Sequence, residues 1–467
     1  MQDHTPEVED RSPHRDEDAV SHEDDLIAAI ERRDAPACVQ WLDGASAQDA
    51  VYALSMLSDE ARATLLGMLT PEDAAEVIEQ IPEPQAVEAL EDLDAAVAAG
   101  IIEELDSDER ADLINALDEE DAEAILNELE VDVAEDVRRL AAYGEETAGG
   151  LMLTEYLSFP ASATVRDVLA DIETNAEEYA HYNIQYSYIV DEHDRLLGVL
   201  PIRRLLLARR ETPVRDLMIA DPVRVLDSDS LEELRSVFSD HPFIGLPVVT
   251  ETGALVGVVE QSDVALATSE EADDLYRQSQ GIVGGEELRS MPLRKRSGRR
   301  LAWLSVNILL NIAAASVIAF HQDTLEAVIA LAVFLPIISD MSGCSGNQAV
   351  AVSMRELTLG VTRPRDVFHV LFKECSVGIL NGVALGILIG AVAYLWKGNL
   401  YLSGVVGLAL AANTLIAVCI GGAVPLILKG LKTDPALASG PILTTITDMC
   451  GFLLVLSLAS AMMAHLN

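Results

Sequence analysis

The sequence predicts a multidomain chain: an all-α superhelical N domain, an α/β tandem pair, a linking helix, and a five-helix α domain that crosses a membrane. Three observations predict it. Charge divides sharply, because residues 1–300 carry 69 acidic against 24 basic side chains while residues 301–467 carry 8 against 7, within a formal net charge of −46 over 467 residues. The last third holds apolar runs long enough to cross a hydrocarbon core of roughly 30 Å, which takes about 20 helical residues. Between these parts a β-rich run recurs at a fixed spacing.

Residues 1–24 are polar and rich in Asp, Glu, His and Pro, and are expected to be a disordered acidic tail. They lack an apolar h-region, so no signal peptide is expected and the N-terminal part should stay in the cytoplasm. Residues 25–145 repeat a unit of cap, acidic first turn and apolar stripe, as in TPEDAAEVIEQI from Thr70, DSDERADLINAL from Asp106 and DEEDAEAILNEL from Asp118. Thr70, Asp106 and Asp118 are expected N-caps, with Pro71 at the first helical position. Helices at this spacing stack into a superhelix.

Two α/β halves are expected over 146–213 and 214–268, because Tyr188-Ile189-Val190 with Gly198-Val199-Leu200 recurs 59 residues later as Pro247-Val248-Val249 with Gly257-Val258-Val259. Each half resembles a CBS motif. Residues 269–300 begin with Glu270, Glu271, Asp273 and Asp274 and end in a basic cluster, which reads as a linking helix into the membrane. Five membrane helices are expected at about 301–320, 325–347, 370–396, 403–428 and 437–463 within the domain 301–467. Lys and Arg collect before the first, between the second and third, and between the fourth and fifth, which puts the N-terminus inside and the C-terminus outside. The five cysteines show no metal-ligand spacing and are expected to be reduced and structural.

Ionisable residues inside a membrane segment suggest function by default. Asp448 lies deep in the fifth helix, which carries no Lys or Arg; it reads either as a pathway carboxylate or as a carboxyl bonded to a neighbouring hydroxyl. Asp340 lies in PIISDMSGCSGNQ, where Pro336, Gly343 and Gly346 are expected to break the helix and expose backbone to a wet cavity, or else to kink it. Asp434 before Pro435 fits an N-cap as well as a site. No nucleophile with a base, zinc spacing or phosphate loop is present, so neither an enzyme nor a nucleic-acid binder is expected.

The domain order, with ETAGGLMLTEYL from Glu146, GNQAVAVSMREL and DPALASGPILTTITDMCG, resembles the MgtE magnesium channel family over nearly the whole chain. The resemblance implies a homodimeric Mg²⁺ channel of the plasma membrane, in contact with lipid, carrying divalent cations and closed by cytoplasmic Mg²⁺. It places Asp448 at the pore ion, Asp340 at a pore entrance, and Gly346, Asn347 and Pro441 along the pore. It also assigns Asp434, Asp273, Asp274 and Glu270 to a regulatory site, and Asp108 and Asp112 to a metal site in the N domain. Cys344 stands where many relatives have Asn, and Ser339-Asp340 replaces smaller residues. ATP at the CBS pair is a further expectation, resting only on Ser262-Asp263 in the second copy, against Arg203-Arg204 in the first. A carrier exchanging Mg²⁺ for Na⁺ or H⁺ is the alternative. A net charge of −45 in the first 300 residues exceeds what a sensor needs and reads as adaptation to a salt-rich cytoplasm, so that any single carboxylate there is first of all a solvated surface group.

Overall fold

The computed structural model describes residues 25–180, 182–282, 287–289, 291–433 and 435–466. Two compact units form, Met1–Glu270 with Leu288–Met291, and Glu271–Glu287 with Pro292–Asn467.

In the first unit, helices α1 to α10 occupy 25–32, Ala35–Gly44, Ala47–Met56, Asp59–Leu66, Pro71–Gln80, Glu83–Glu91, Ala95–Glu104, Ser107–Ala116, Glu119–Glu128 and Val131–Leu140. They stack in two interleaved rows, α3 on α5 on α7 on α9 and α4 on α6 on α8 on α10. This is the superhelix expected of units too short to bury a face alone. Their apolar stripes, among them Leu65, Ile78, Leu90, Ile102 and Ile125, merge into one core. Thr70 caps as expected, its hydroxyl accepting the Asp73 N–H at 3.2 Å. Asp106 and Asp118 hold the N-cap positions but make no side-chain cap bond, which corrects their expected role. Asp106 lines a cavity described below.

The β halves follow the expected repeat. β1 (Leu157–Pro160) pairs parallel with β2 (Tyr186–Val190), β2 antiparallel with β3 (Leu196–Pro201), and β3 with β4 (Ile219–Ala220). β5 (Val225–Leu226), β6 (Gly245–Val249) and β7 (Leu255–Glu260) repeat the first two pairings. Helices α11 (Val165–Thr174), α12 (Ile202–Leu207) and α13 (Leu231–Asp240) cover them, and α11 and α13 each start with a full capping box, from Thr164 with Asp167 and from Ser230 with Glu233.

The halves interlock. Leu153, ahead of β1 in the first half, exchanges hydrogen bonds of 2.8 and 2.9 Å with Val258 in the second. Met152 therefore lies on Gly257, as Met218 lies on Gly198; a Cβ at either glycine would come within 2.6 Å of the methionine sulfur. Gly257→Val is expected to cost about 1–3 kcal/mol by overpacking. Thermal unfolding of the whole chain against Gly44→Ala, where an added Cβ meets nothing within 4 Å, checks it; equal melting of the two variants would refute the interlock.

Helix α14 spans Gln261–Ser279, and the division between the units falls within it. A linking helix was expected over 269–300. Instead it closes in a Schellman motif, with Gly281 at φ +80°, its N–H on the Gln278 carbonyl at 2.9 Å and the Ile282 N–H on the Arg277 carbonyl at 3.1 Å. The glycine in QSQG is the stop signal.

The second unit contains α15 (Leu293–Phe320), α16 (Gln322–Ala327), α17 (Leu331–Thr358), α18 (Val367–Lys397), α19 (Leu400–Gly430), α20 (Pro435–Ala461) and α21 (Met463–Leu466). α19 is the central helix, packed on α17, α18 and α20, while α15 lies on α20. Four helices, Leu293–Phe320, Pro364–Lys397, Leu400–Gly430 and Ser439–Ala461, are long and apolar enough to cross a membrane among the described residues. The expected helix at 325–347 takes another form. Its start is split off as α16, and α17 is one unbroken helix of 28 residues in which Ser339, Asp340, Ser342, Asn347 and Gln348 interrupt the apolar run.

Pro336, Gly343 and Gly346 thus do not break the helix. Pro336 lies early in α17 and is accommodated there. Gly346 instead permits close helix approach: a Cβ on it would meet Ala417 O at 3.0 Å, and one on Gly421 would meet Gly346 O at 2.2 Å. Small residues at such crossings let backbones touch. Gly421-Gly422 and Pro425 likewise leave α19 continuous.

Candidate metal sites

Asp448 sits mid-way along α20, half-buried, and Ser339 of α17 donates its hydroxyl to one carboxylate oxygen. That is the hydroxyl bond the sequence left open. It engages one oxygen; among the described residues no Lys or Arg pairs with the other. α20 is seated by Gly451, where a Cβ would meet Asn413 Nδ2 at 2.7 Å and Ile338 Cγ2 at 3.4 Å. Asn413 is fully buried in α19 and donates to the Thr447 carbonyl at 3.0 Å, one residue before Asp448. Sequence reasoning passed over Ser339 and Asn413 as parts of this site, although an amide alone in the long apolar run of α19 was a legible signal.

Each of the two helices carries a polar stripe. Pro441, Thr444 and Asp448 share a face of α20, spaced by whole helical turns. Asp340, Cys344 and Asn347 share an exposed face of α17. Gly346, expected along the pore, is buried under Leu443 against α19 and is a packing position. Asp434 lies outside the described residues. Asp273 is exposed on α14, and Asp274 is ion-paired with Arg277 one turn on.

The first unit contains an acidic cavity of about 420 Å³ between α5, α6, α8, the β2 and β7 edges and the start of α14. Asp108 and Asp112, one turn apart on α8, line it with Asp106, Glu109, Glu79, Glu155, Glu260, Asp263 and Glu270. Among the described residues no Lys or Arg lines it, and Arg110 beside it is engaged by Glu155 at 3.3 Å and the Leu105 carbonyl at 2.6 Å. Loss of water and mutual repulsion push these carboxyls up: Asp108 to about 7, mainly by burial and then by Asp263 and Asp106; Asp112 to about 7, by burial, then Asp108, Glu145, Glu83 and Glu270; Glu109 to about 8, by burial and then Glu79. Asp263 and Glu260 shift upward for the same first reason. Asp263 Oδ2 is buried without a hydrogen-bond partner. Among the described residues no three carboxylate, Cys or His groups converge to hold a bare ion. The expected pair Asp108 and Asp112 is thus brought together, whereas Asp263, read from sequence only as a ribose-type position, joins it from the second half.

Three matches to known families cover most of the chain. The divalent cation transporter model matches residues 335–458, the MgtE intracellular N domain 45–146, and the CBS domain 148–211 and 214–270. The magnesium transporter MgtE of Bacillus subtilis is 33% identical over 329 residues, 70% of this chain and 71% of that protein. The magnesium transporter MgtE of Thermus thermophilus is 34% identical over 330 residues, 69% and 72% of the two. Among solved structures, the cytosolic domain of the Mg²⁺ channel MgtE in complex with ATP aligns at 33% identity with a TM-score of 0.48, over 52% of this chain and 99% of that one.

Proposed function

Because the chain belongs to the MgtE family of magnesium transporters, a membrane-embedded and non-enzymatic family, we propose that it is a homodimeric channel through which hydrated Mg²⁺ enters the cell and which cytoplasmic Mg²⁺ closes. Asp448 carries the proposal. Mg²⁺ releases water reluctantly and is usually held by one or two carboxylates with several waters kept. Two copies of Asp448 on a two-fold axis supply that charge, and the Ser339 bond orients each carboxylate while leaving an oxygen for the ion's water shell. Thr444, Pro441, Asn347 and Asp340 continue the polar path. α17 is the fifth crossing, polar because it faces the pathway, and α15, mostly exposed in one protomer, faces lipid and the second copy.

The acidic cavity is the internal sensor. Mg²⁺ entering with its water replaces protons and relieves repulsion among Asp108, Asp112, Asp263 and their neighbours, favouring the compact arrangement. The same lining repels a polyphosphate that arrives without cations, so ATP is not assigned here. Asp434, Asp273, Asp274 and Glu270 are proposed as a second regulatory set on the family resemblance. The N-terminus is assigned to the inside and the C-terminus to the outside, on the distribution of Lys and Arg between the helices. In a salty cytoplasm the Debye length falls to about 3 Å at 1 M, leaving the gating to directly bridged carboxylates.

Patch recordings of the whole protein, with cytoplasmic Mg²⁺ stepped upward from zero, test this reading. Unitary Mg²⁺ currents that shut as internal Mg²⁺ rises are expected. Uptake that needs a Na⁺ or proton gradient and shows no unitary current would replace the channel with a carrier.

A further inference from the structure

The α18–α19 hairpin brings together two thiols that lie 44 positions apart in the chain: Cys375 Sγ and Cys419 Sγ are 3.0 Å apart. A chain of glycine contacts sets this register independently. Ser403 donates to the Gly390 carbonyl at 2.5 Å. A Cβ on Gly386 would meet Gly407 O at 2.6 Å, one on Gly382 would meet Ala411 O at 2.6 Å, and one on Gly378 would meet Leu415 Cδ1 at 3.0 Å. Each step of one turn along α18 is matched by one turn back along α19, and the next step sets Cys375 against Cys419. Neither helix can slide without driving backbone oxygens into α-carbons, so the sulfurs are held face to face. Both thiols are free and half-buried.

The pair occupies the open end of the hairpin, opposite its turn at Gly398, where φ is +67°. Cystine formation there would add a covalent staple to the end of the hairpin away from its turn, where Gly422 already packs on Glu374 and Val370. We propose that Cys375 and Cys419 form an oxidation site at which a hydroperoxide closes an intrachain disulfide and locks this end of the hairpin. One thiol is oxidised by the peroxide to a sulfenic acid with release of water. The second sulfur attacks it, forming the S–S bond and releasing a second water, so two thiols and one hydrogen peroxide yield one disulfide and two waters. Hydrogen peroxide is small and uncharged enough to reach a half-buried pair.

The test uses the full chain with Cys38, Cys344 and Cys450 replaced by Ser, treated with dilute hydrogen peroxide, then unfolded and labelled with a maleimide. Labelled thiols are expected to fall from two to none and to return to two with dithiothreitol, while adding Cys375→Ser leaves the remaining thiol able to take label after dithiothreitol and yields no linked species. In the wild-type chain, digestion after peroxide should recover the Cys375 and Cys419 peptides as one linked species, which keeps the test open if the triple variant misfolds. Peroxide-treated folded protein in which these peptides stay unlinked, or are linked only between copies, would overturn the proposal.

Discussion

Replacing Asp448 by Asn is expected to reduce Mg²⁺ current by about 100-fold at low external Mg²⁺. The substitution keeps shape and the contact with Ser339 but removes one negative charge from each protomer, hence two from the axis. If each carboxylate contributes only a net ~1.4 kcal/mol to holding the hydrated ion, occupancy falls about tenfold per charge. Unitary recordings across external Mg²⁺ check it, with elution as a single species as the control for folding. Ser339→Ala should have a smaller effect, because the charge remains and only its orientation is lost. An Asp448→Asn channel with unchanged conductance would remove Asp448 from the pathway and leave the hydroxyl-bonded, structural reading in its place.

Raising the pH from 4 to 8 in the absence of divalent cations is expected to loosen α8 and the cavity around it. Asp108 and Asp112 titrate at about 7 and Glu109 at about 8 in the folded protein, against roughly 4 in an unfolded chain. The folded state therefore binds more protons across this window, and stability falls with rising pH. The contribution is fully present below about pH 4 and is lost as pH passes through about 7 to 8, the opposite of the usual depressed carboxylate. Hydrogen exchange of the α8 amides in the full-length protein reads it directly. Mg²⁺ at pH 8 should restore protection, because the ion takes the place of the lost protons, and Asp108→Asn with Asp112→Asn should flatten the pH dependence. A flat profile in the wild type, or no rescue by Mg²⁺, would refute the sensor assignment. Hydrogen-bonded acids such as Asp191, held at about 2 by the backbone N–H groups of Arg195 and His193, act in the reverse sense and only under more acidic conditions.

The linking helix and the second membrane helix mark where local sequence reading fell short. Both were read from runs of composition. Gly281 ends α14 because only its own backbone angles matter there, so that stop was legible in QSQG and was overlooked. Gly346 did not break α17 because its neighbour, Gly421, lies 75 positions away and no local pattern reports it.

What the sequence determined by itself was whatever depends on neighbours along the chain. Charge division separated the acidic part from the membrane part, apolar length marked the spanning segments, the 59-residue recurrence placed the two β halves, and an Asp without a Lys or Arg on its own apolar helix singled out Asp448. Tertiary structure alone decided which side chains meet: Ser339 with Asp448, Asp108 and Asp112 with Asp263, and Cys375 with Cys419. The meetings between membrane helices depend on the register between those helices, which is set where backbones touch at Gly386 against Gly407 and Gly346 against Gly421. A shift of one turn would move every one of these contacts while leaving composition and periodicity unchanged.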